Sequence, residues 1–137
     1  MIRKFMFMLL VLMLPAMAIG QITDNHPIKT ITDADIVGSV NFYNDTTYIL
    51  DGFVYVEDGE TLTIEAGTAI KGKPGQGAAA TALIVARGGK IFANGTATEP
   101  IVFTAEADDL DDPSDIDVTG SGGRGLWGSV IILGKAT

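Results

Sequence analysis

Hydrophobic and polar residues alternate over short distances along most of the chain. In Thr61–Glu65 the apolar residues Leu62 and Ile64 stand between polar ones, which predicts a strand with one face turned inward. Similar short segments recur, and most are separated by Gly, Asp, Asn or Pro. The predicted strands are Thr46–Leu50, Phe53–Val56, Thr61–Glu65, Thr68–Lys71, Ala82–Ala86, Lys90–Ala93, Ile101–Thr104 and Val130–Leu133. The pattern indicates an all-β protein.

The strands belong to an internal repeat. Residues 54–59 (Val-Tyr-Val-Glu-Asp-Gly) lie 29 positions before residues 83–88 (Leu-Ile-Val-Ala-Arg-Gly). Residues 67–68 then correspond to 95–96 after a slip of one position, and a third copy begins at Val130. Repeats of ~20–50 residues built from short strands are typical of stacked rungs. A β-sandwich whose turns share a similar composition is the alternative.

The start of the chain has a different pattern. Residues 1–18 carry two basic residues, ten consecutive apolar residues from Phe5 to Leu14, and a small-x-small ending at Ala18, which predicts a secretory signal peptide. The apolar run is shorter than the ~20 residues that cross a membrane, which disfavours an uncleaved anchor. We expect cleavage after Ala18, or secondarily after Gly20, and no membrane span in the mature chain.

The leader conceals how acidic the rest of the chain is. The 137 residues have a net charge of -8 and are 47% hydrophobic. Without residues 1–18, seven basic residues oppose 17 acidic ones, the net charge is -10 and the hydrophobic share is about 41%. This charge excludes a basic nucleic-acid binder. The absence of cysteine excludes a disulfide scaffold, a Cys-ligated zinc module and a lipidated N-terminal cysteine.

These observations divide the chain into three parts. A signal peptide at 1–18 precedes an irregular lead-in at 19–45, and rungs follow at 46–137 with an acidic insertion at 105–125. Each rung offers open N–H and C=O groups on both sides and needs a neighbour or a cap. The lead-in could cap the first rung. No cap follows the last apolar strand, so we expect a stack that is incomplete at its C-terminus.

Several long motifs resemble one protein family. Leu62–Thr68, Ala82–Ile91 and Arg124–Gly134 are similar to the N-terminal part of large exported β-helix surface proteins of Gram-negative bacteria. The resemblance covers roughly residues 46–137. It implies a right-handed parallel β-helix with pectate-lyase-like stacked rungs, located outside the cell or on its outer surface. It also implies further rungs and, in many members, a C-terminal sorting domain for type IX secretion.

The densest chemical feature is a group of seven carboxylates between Glu106 and Asp117. Such crowded like charges require solvent or a cation, and Ca²⁺ prefers oxygen ligands. The expected calcium ligands are Asp108, Asp109, Asp111, Asp112, Asp115 and Asp117. Leu126 stands where a closing glutamate of a calcium loop would be required, which favours a solvated surface loop and leaves the calcium site as the alternative.

Catalytic groups are scarce. His26 is the single histidine and lies in the lead-in, which argues against Ser–His chemistry. Trp127 is read as a core aromatic, with a sugar-stacking platform as the alternative. We therefore expect a structural or adhesive surface protein without catalytic residues, whose partners are surface glycans or other surface proteins. The alternative is a carbohydrate-binding or carbohydrate-cleaving protein whose active rungs lie beyond residue 137.

Overall fold

The computed structural model describes residue 23 and residues 25–116 and 125–134. The predicted signal peptide at 1–18 and the predicted calcium ligand Asp117 lie outside the described residues. The strands are β1 (Ile28–Ile31), β2 (Ser39–Phe42), β3 (Thr47–Leu50), β4 (Phe53–Val56), β5 (Thr61–Ile64), β6 (Ala69–Gly72), β7 (Ala82–Val85), β8 (Lys90–Ala93), β9 (Val102–Ala105) and β10 (Ser129–Ile132). Two 3₁₀ turns, Asp33–Asp35 and Gly77–Ala79, accompany them. Across this described part, none of the helical segments has the length and apolarity needed to cross a membrane.

The strands form three parallel sheets. Sheet A contains β1, β3, β6 and β9 in that order, sheet B contains β2, β5 and β8, and sheet C contains β4, β7 and β10. From β3 onward the chain visits sheets A, C and B in turn and then returns to sheet A one layer further on. Each circuit is one rung of a parallel β-helix. The predicted all-β fold of stacked parallel rungs is confirmed.

The strand register confirms most of the predicted repeat. Val54 lies opposite Leu83, and Leu83 lies opposite Val130, so the three predicted copies form one ladder. The predicted slip of one residue at 67–68 is wrong. Ala69 pairs with Val102, 33 positions later, whereas Phe53 pairs with Ala82 and Thr61 pairs with Lys90 at an offset of 29. The second copy therefore contains four extra residues, which the turn after β8 accommodates.

The lead-in is more regular than its sequence predicted. Residues 28–42 contain β1 and β2, which pair with β3 and β5 and complete a first rung. In this rung the 3₁₀ turn Asp33–Asp35 takes the place of a sheet C strand. The Asp33 carboxylate accepts a hydrogen bond from the N–H of Tyr55 at 2.9 Å, so a side chain caps the open edge of β4.

The core is a stack of inward-facing apolar side chains. Val54, Leu62, Ile70 and Leu83 are completely buried, one or two from each sheet. Because side chains alternate along a strand, their neighbours point outward. Burial of this column stabilises the rungs, at about 25 cal/mol for each Å² of apolar surface removed from water.

Candidate functional site

We call residues 106–116, the described part of the carboxylate-rich insertion, the acidic segment. It begins directly after β9 and lies against the outer face of sheet A. Its first anchor is the N–H of Glu106, which donates to the carbonyl of Gly72 at 2.8 Å. Lys71 points outward, since its neighbour Ile70 points into the core, yet Lys71 is only 5% exposed. Its ammonium donates to the carbonyl of Asp108 at 2.5 Å, and Thr104 donates its hydroxyl to the Asp108 carboxylate at 2.5 Å. Asp108 therefore fastens the segment to two strands.

The carboxylates that follow bond mainly within the segment. Asp109 accepts a hydrogen bond from the N–H of Asp111 at 3.0 Å, and its own N–H donates to the carboxylate of Asp115. Asp112 accepts from the hydroxyl and the N–H of Ser114, at 2.6 and 2.9 Å. These two bonds lower the pKa of Asp112, the hydroxyl contributing most. The segment thus uses its carboxylates to satisfy its own backbone donors.

The five predicted calcium ligands that the structure describes do not converge into a cage. Within residues 25–116 and 125–134, no group of three His, Asp or Glu side chains is placed to hold a metal ion. The sixth predicted ligand, Asp117, lies outside the described residues. Calcium binding therefore stays a prediction from sequence, and the hydrogen bonds to Asp109 and Asp112 show how the loop is organised by its backbone.

Trp127 lies against Gly72 of sheet A and packs on the hydrophobic core. A Cβ atom on Gly72 would lie 2.3 Å from Cε3 of Trp127, so the indole occupies the space of the missing side chain. A pocket of about 270 Å³ opens beside the indole, lined among others by Thr104 and Ile116. The contact with Gly72 agrees with the core-aromatic interpretation.

The outer face of sheet C differs in composition from that of sheet B. Two rows of outward side chains run across its strands: Phe53, Ala82 and Ser129, then Tyr55, Ile84 and Ile131. None of these six is charged. Phe53 is 39% exposed and Ile131 is 40% exposed, while Tyr55 and Ile84 are half-buried. We call Phe53, Tyr55, Ile84 and Ile131 the apolar face.

The corresponding positions of sheet B are mostly polar. Its outward side chains are Ser39, Thr61 and Lys90 in one row and Asn41, Thr63 and Phe92 in the next. A surface of this kind is ordinary for a sheet that meets water. The apolar face of sheet C is therefore not a general property of the helix.

Carboxylates border the apolar face on two sides. Asp33 and Asp35 lie at the level above β4, and Glu57, Asp58 and Glu60 form the turn that follows it; we call these five residues the acidic rim. The N–H and the hydroxyl of Thr32 both donate to Asp35 and lower its pKa, the N–H contributing most. Arg87 is the basic residue of the adjoining turn after β7.

The other border of the apolar face is electrically balanced. Lys73 and Asp51 form an ion pair at 2.8 Å near the corner between sheets A and C. This hydrogen bond raises the pKa of Lys73. Both side chains are substantially exposed, so the pair adds little stability and mainly neutralises this border.

Sequence reasoning missed the apolar face. The signal was present, because Phe53–Val56 is apolar at every position, whereas Thr61–Ile64 alternates. Continuous apolar strands are typical of parallel sheets that are covered on both faces.

One comparison with known proteins identifies a relationship. The family model described as a pectate-lyase-like beta helix domain matches residues 34–137, which is more than half of the chain. No curated protein and no solved structure matches the chain.

Proposed function

The chain belongs to the pectate-lyase-like β-helix domain family, and from this premise we propose that it is an exported structural and adhesive protein. Its place is outside the cell or on the outer surface of a Gram-negative bacterium. The leader pattern at 1–18 and the resemblance of residues 46–137 to surface proteins support this location. The proposed role requires no catalytic residue.

The regular stack supports the structural part of the role. All strand pairs among the described residues are parallel and join one rung to the next. Adjacent strands are about 4.8 Å apart, so each added rung extends a rod by that distance. Because the interior is filled by packed side chains such as Val54 and Leu62, the rod resists bending.

The observation that carries the adhesive part is the exposed apolar face of sheet C. Parallel sheets usually have both faces covered. Phe53 and Ile131 instead remain about two-fifths exposed, at 39% and 40%. A contiguous apolar patch with a polar border is typical of an interaction surface.

The acidic rim and the overall charge favour a particular partner. We infer a surface protein that presents an apolar stripe flanked by lysine or arginine. The five carboxylates of the acidic rim and the net charge of -10 that the chain has without residues 1–18 would attract such a partner and repel an acidic one. The nonpolar contact supplies affinity, and the charges set orientation and encounter rate.

The adhesive role is tested with two synthetic amphipathic helices that share a leucine stripe. One carries lysine beside the stripe and the other carries glutamate. We expect the full chain to bind the lysine peptide, and Phe53→Ser/Ile131→Ser to weaken it about tenfold or more, as loss of central apolar contacts does. The matched control, Asn41→Ser/Thr63→Ser on sheet B, should bind normally. Equal binding by both double variants, or equal binding of both peptides, would contradict the proposal.

Export has its own test. N-terminal sequencing of the protein recovered outside the cytoplasm should begin at Ile19, or at Gln21 if cleavage follows Gly20. A recovered protein that retains Met1 would show that the leader is not a cleaved signal.

A second candidate function is carbohydrate binding or cleavage, with active rungs beyond residue 137. It is favoured by the two aromatic side chains, Phe53 and Tyr55, that share the apolar face. Aromatic rings present a flat nonpolar surface on which a sugar ring can stack, and the tyrosine hydroxyl adds a hydrogen-bonding group. Binding to a defined set of spots on a glycan array, lost in Tyr55→Ser, would favour this candidate over the protein partner.

A further inference from the structure

The turn after β8 contains the pair Asn94-Gly95. Both residues are exposed, and both lie beyond the last strand pair of this ladder, Ile64 with Ala93. This turn also holds the four extra residues of the second repeat. In an Asn-Gly pair the backbone nitrogen of the glycine can approach the asparagine side chain closely, because glycine has no Cβ atom in the way.

We propose that Asn94 is a site of spontaneous deamidation and backbone isomerisation. The backbone nitrogen of Gly95 attacks Cγ of Asn94, and a new C–N bond closes a five-membered succinimide ring. The bond from Cγ to Nδ2 breaks, and this nitrogen leaves as ammonia together with the proton that the Gly95 nitrogen loses. Water then opens the ring at either carbonyl, which produces aspartate or isoaspartate at position 94. Water is the only co-reactant, and no electrons are transferred.

The structure leaves the reacting groups of Asn94 and Gly95 available. The Asn94 side chain makes no hydrogen bond to any residue that the structure describes, and neither does the N–H of Gly95. The next residue, Thr96, is held more firmly, because its N–H donates to the carbonyl of Glu99 at 3.0 Å. The attack therefore requires rearrangement of only the first part of the turn.

Asn44 provides a contrasting site in the same molecule. Its side-chain amide donates to the carbonyl of Ala66 at 3.2 Å, and its N–H donates to the Glu65 carboxylate at 3.1 Å. Asn44 is half-buried, and Asp45 follows it where Asn94 has glycine. The bond to Ala66 holds the side-chain amide of Asn44 against the neighbouring rung, away from the backbone nitrogen that would have to attack it.

The modification would alter a link between rungs. Glu99 accepts a hydrogen bond from the N–H of Gly67 at 3.0 Å and donates its own N–H to the hydroxyl of Thr96 at 2.9 Å. The turn is tight, since a Cβ on Gly95 would lie 2.9 Å from the nitrogen of Ile101. An isoaspartate adds one carbon to the main chain and one negative charge in this turn. It should therefore loosen the corner between sheets B and A as the protein ages.

The test is prolonged incubation of the full chain in mildly alkaline buffer, followed by peptide mapping with mass spectrometry. We expect the peptide with Asn94 to gain the mass that separates a carboxylate from an amide, while the peptide with Asn44 does not. Asp51-Gly52 and Asp58-Gly59 can isomerise without a change in mass, so mass isolates the asparagine reaction. The variant Asn94→Gln, which cannot form the five-membered ring, should lose the signal.

Two outcomes would overturn the proposal. In the first, Asn94 remains an amide in the folded chain but converts in the chain unfolded by denaturant, which would show that the fold protects it. In the second, Asn44 converts as fast as Asn94 in the folded chain, which would show that the described hydrogen bonds do not select the site.

Discussion

Replacing Gly72 by alanine tests the packing of the stack at a single atom. Gly72 occupies the fourth position of β6, in the ladder that contains Leu50 above and Ala105 below. Both neighbours carry a Cβ at this position, so the ladder itself tolerates one. At Gly72 the indole of Trp127 occupies this space instead.

The size of the effect follows from the distances. The added Cβ would lie 2.3 Å from Cε3 and 2.7 Å from Cδ2 of Trp127, whereas carbon atoms pack comfortably at about 3.5–4.0 Å. Gly72 has no positive φ, so backbone strain contributes nothing and the cost is overpacking. Overpacking of a core typically costs about 1–3 kcal/mol. In a chain of this size each kcal/mol lowers the melting temperature by roughly 3–6 °C.

The assay is thermal and urea unfolding of the full chain, followed by circular dichroism. Gly134→Ala is the matched control, because its Cβ would meet nothing within 4 Å and its φ is not positive. In a Trp127→Leu background the cost of Gly72→Ala should largely disappear, a coupling of about 1 kcal/mol or more. If Gly72→Ala costs the same with and without Trp127, the indole does not fill this space and the reasoning is refuted.

Three further substitutions and one ligand test different parts of the structure. Thr47→Val should stabilise the chain by about 1 kcal/mol in urea unfolding, because Thr47 Oγ1 is buried and has no hydrogen-bond partner among the described residues. Gly88→Ala should destabilise by more than about 1 kcal/mol in the same assay, since Gly88 has φ +90° and its Cβ would lie 1.8 Å from Oδ1 of Asp58. Ser114→Ala should raise the pKa of Asp112 toward its ordinary value in an NMR titration. Because the folded pKa of Asp112 is lowered, its contribution to stability is complete above the ordinary value and disappears as pH falls through the lowered one. The calcium hypothesis predicts a higher melting temperature in millimolar Ca²⁺ than in chelator. An unchanged melting temperature would contradict it and support the solvated surface loop.

Local alternation made the strands predictable. Each of the eight predicted strands lies within one residue of the observed one, as Phe53–Val56 and Lys90–Ala93 show by agreeing at both ends. Alternation is a property of neighbouring residues, and burial follows it in β4 and β5, whereas every residue of β3 and β6 is buried. The first rung was not predicted, because its strands β1 and β2 depend on pairing with β3 and β5, which lie later in the chain.

Register and the candidate site depend on information of a different kind. The repeated glycines suggested that Gly67 corresponds to Gly95. In the structure Gly67 instead lies opposite Glu99, and this contact shows that four extra residues precede β9. The acidic segment is similar. Its composition predicts either solvent or a cation, while the hydrogen bonds from Ser114 to Asp112 depend on the path of the backbone.

The division between inward and outward positions explains where functional information lies in such a stack. Inward residues such as Val54 and Leu83 must be apolar in every rung, because each one packs on the rung above and below. Their identity therefore reports the fold. Outward residues have no such requirement, and sheet B accordingly presents Asn41 and Thr63 to water. An outward Phe53 exposes nonpolar surface without contributing to the stack, at a cost that only a covering partner would remove. Phe92 of sheet B is also exposed, at 50%, but on sheet C four apolar side chains adjoin one another. This asymmetry makes the apolar face, rather than the denser acidic segment, a part of the surface whose composition the fold does not account for.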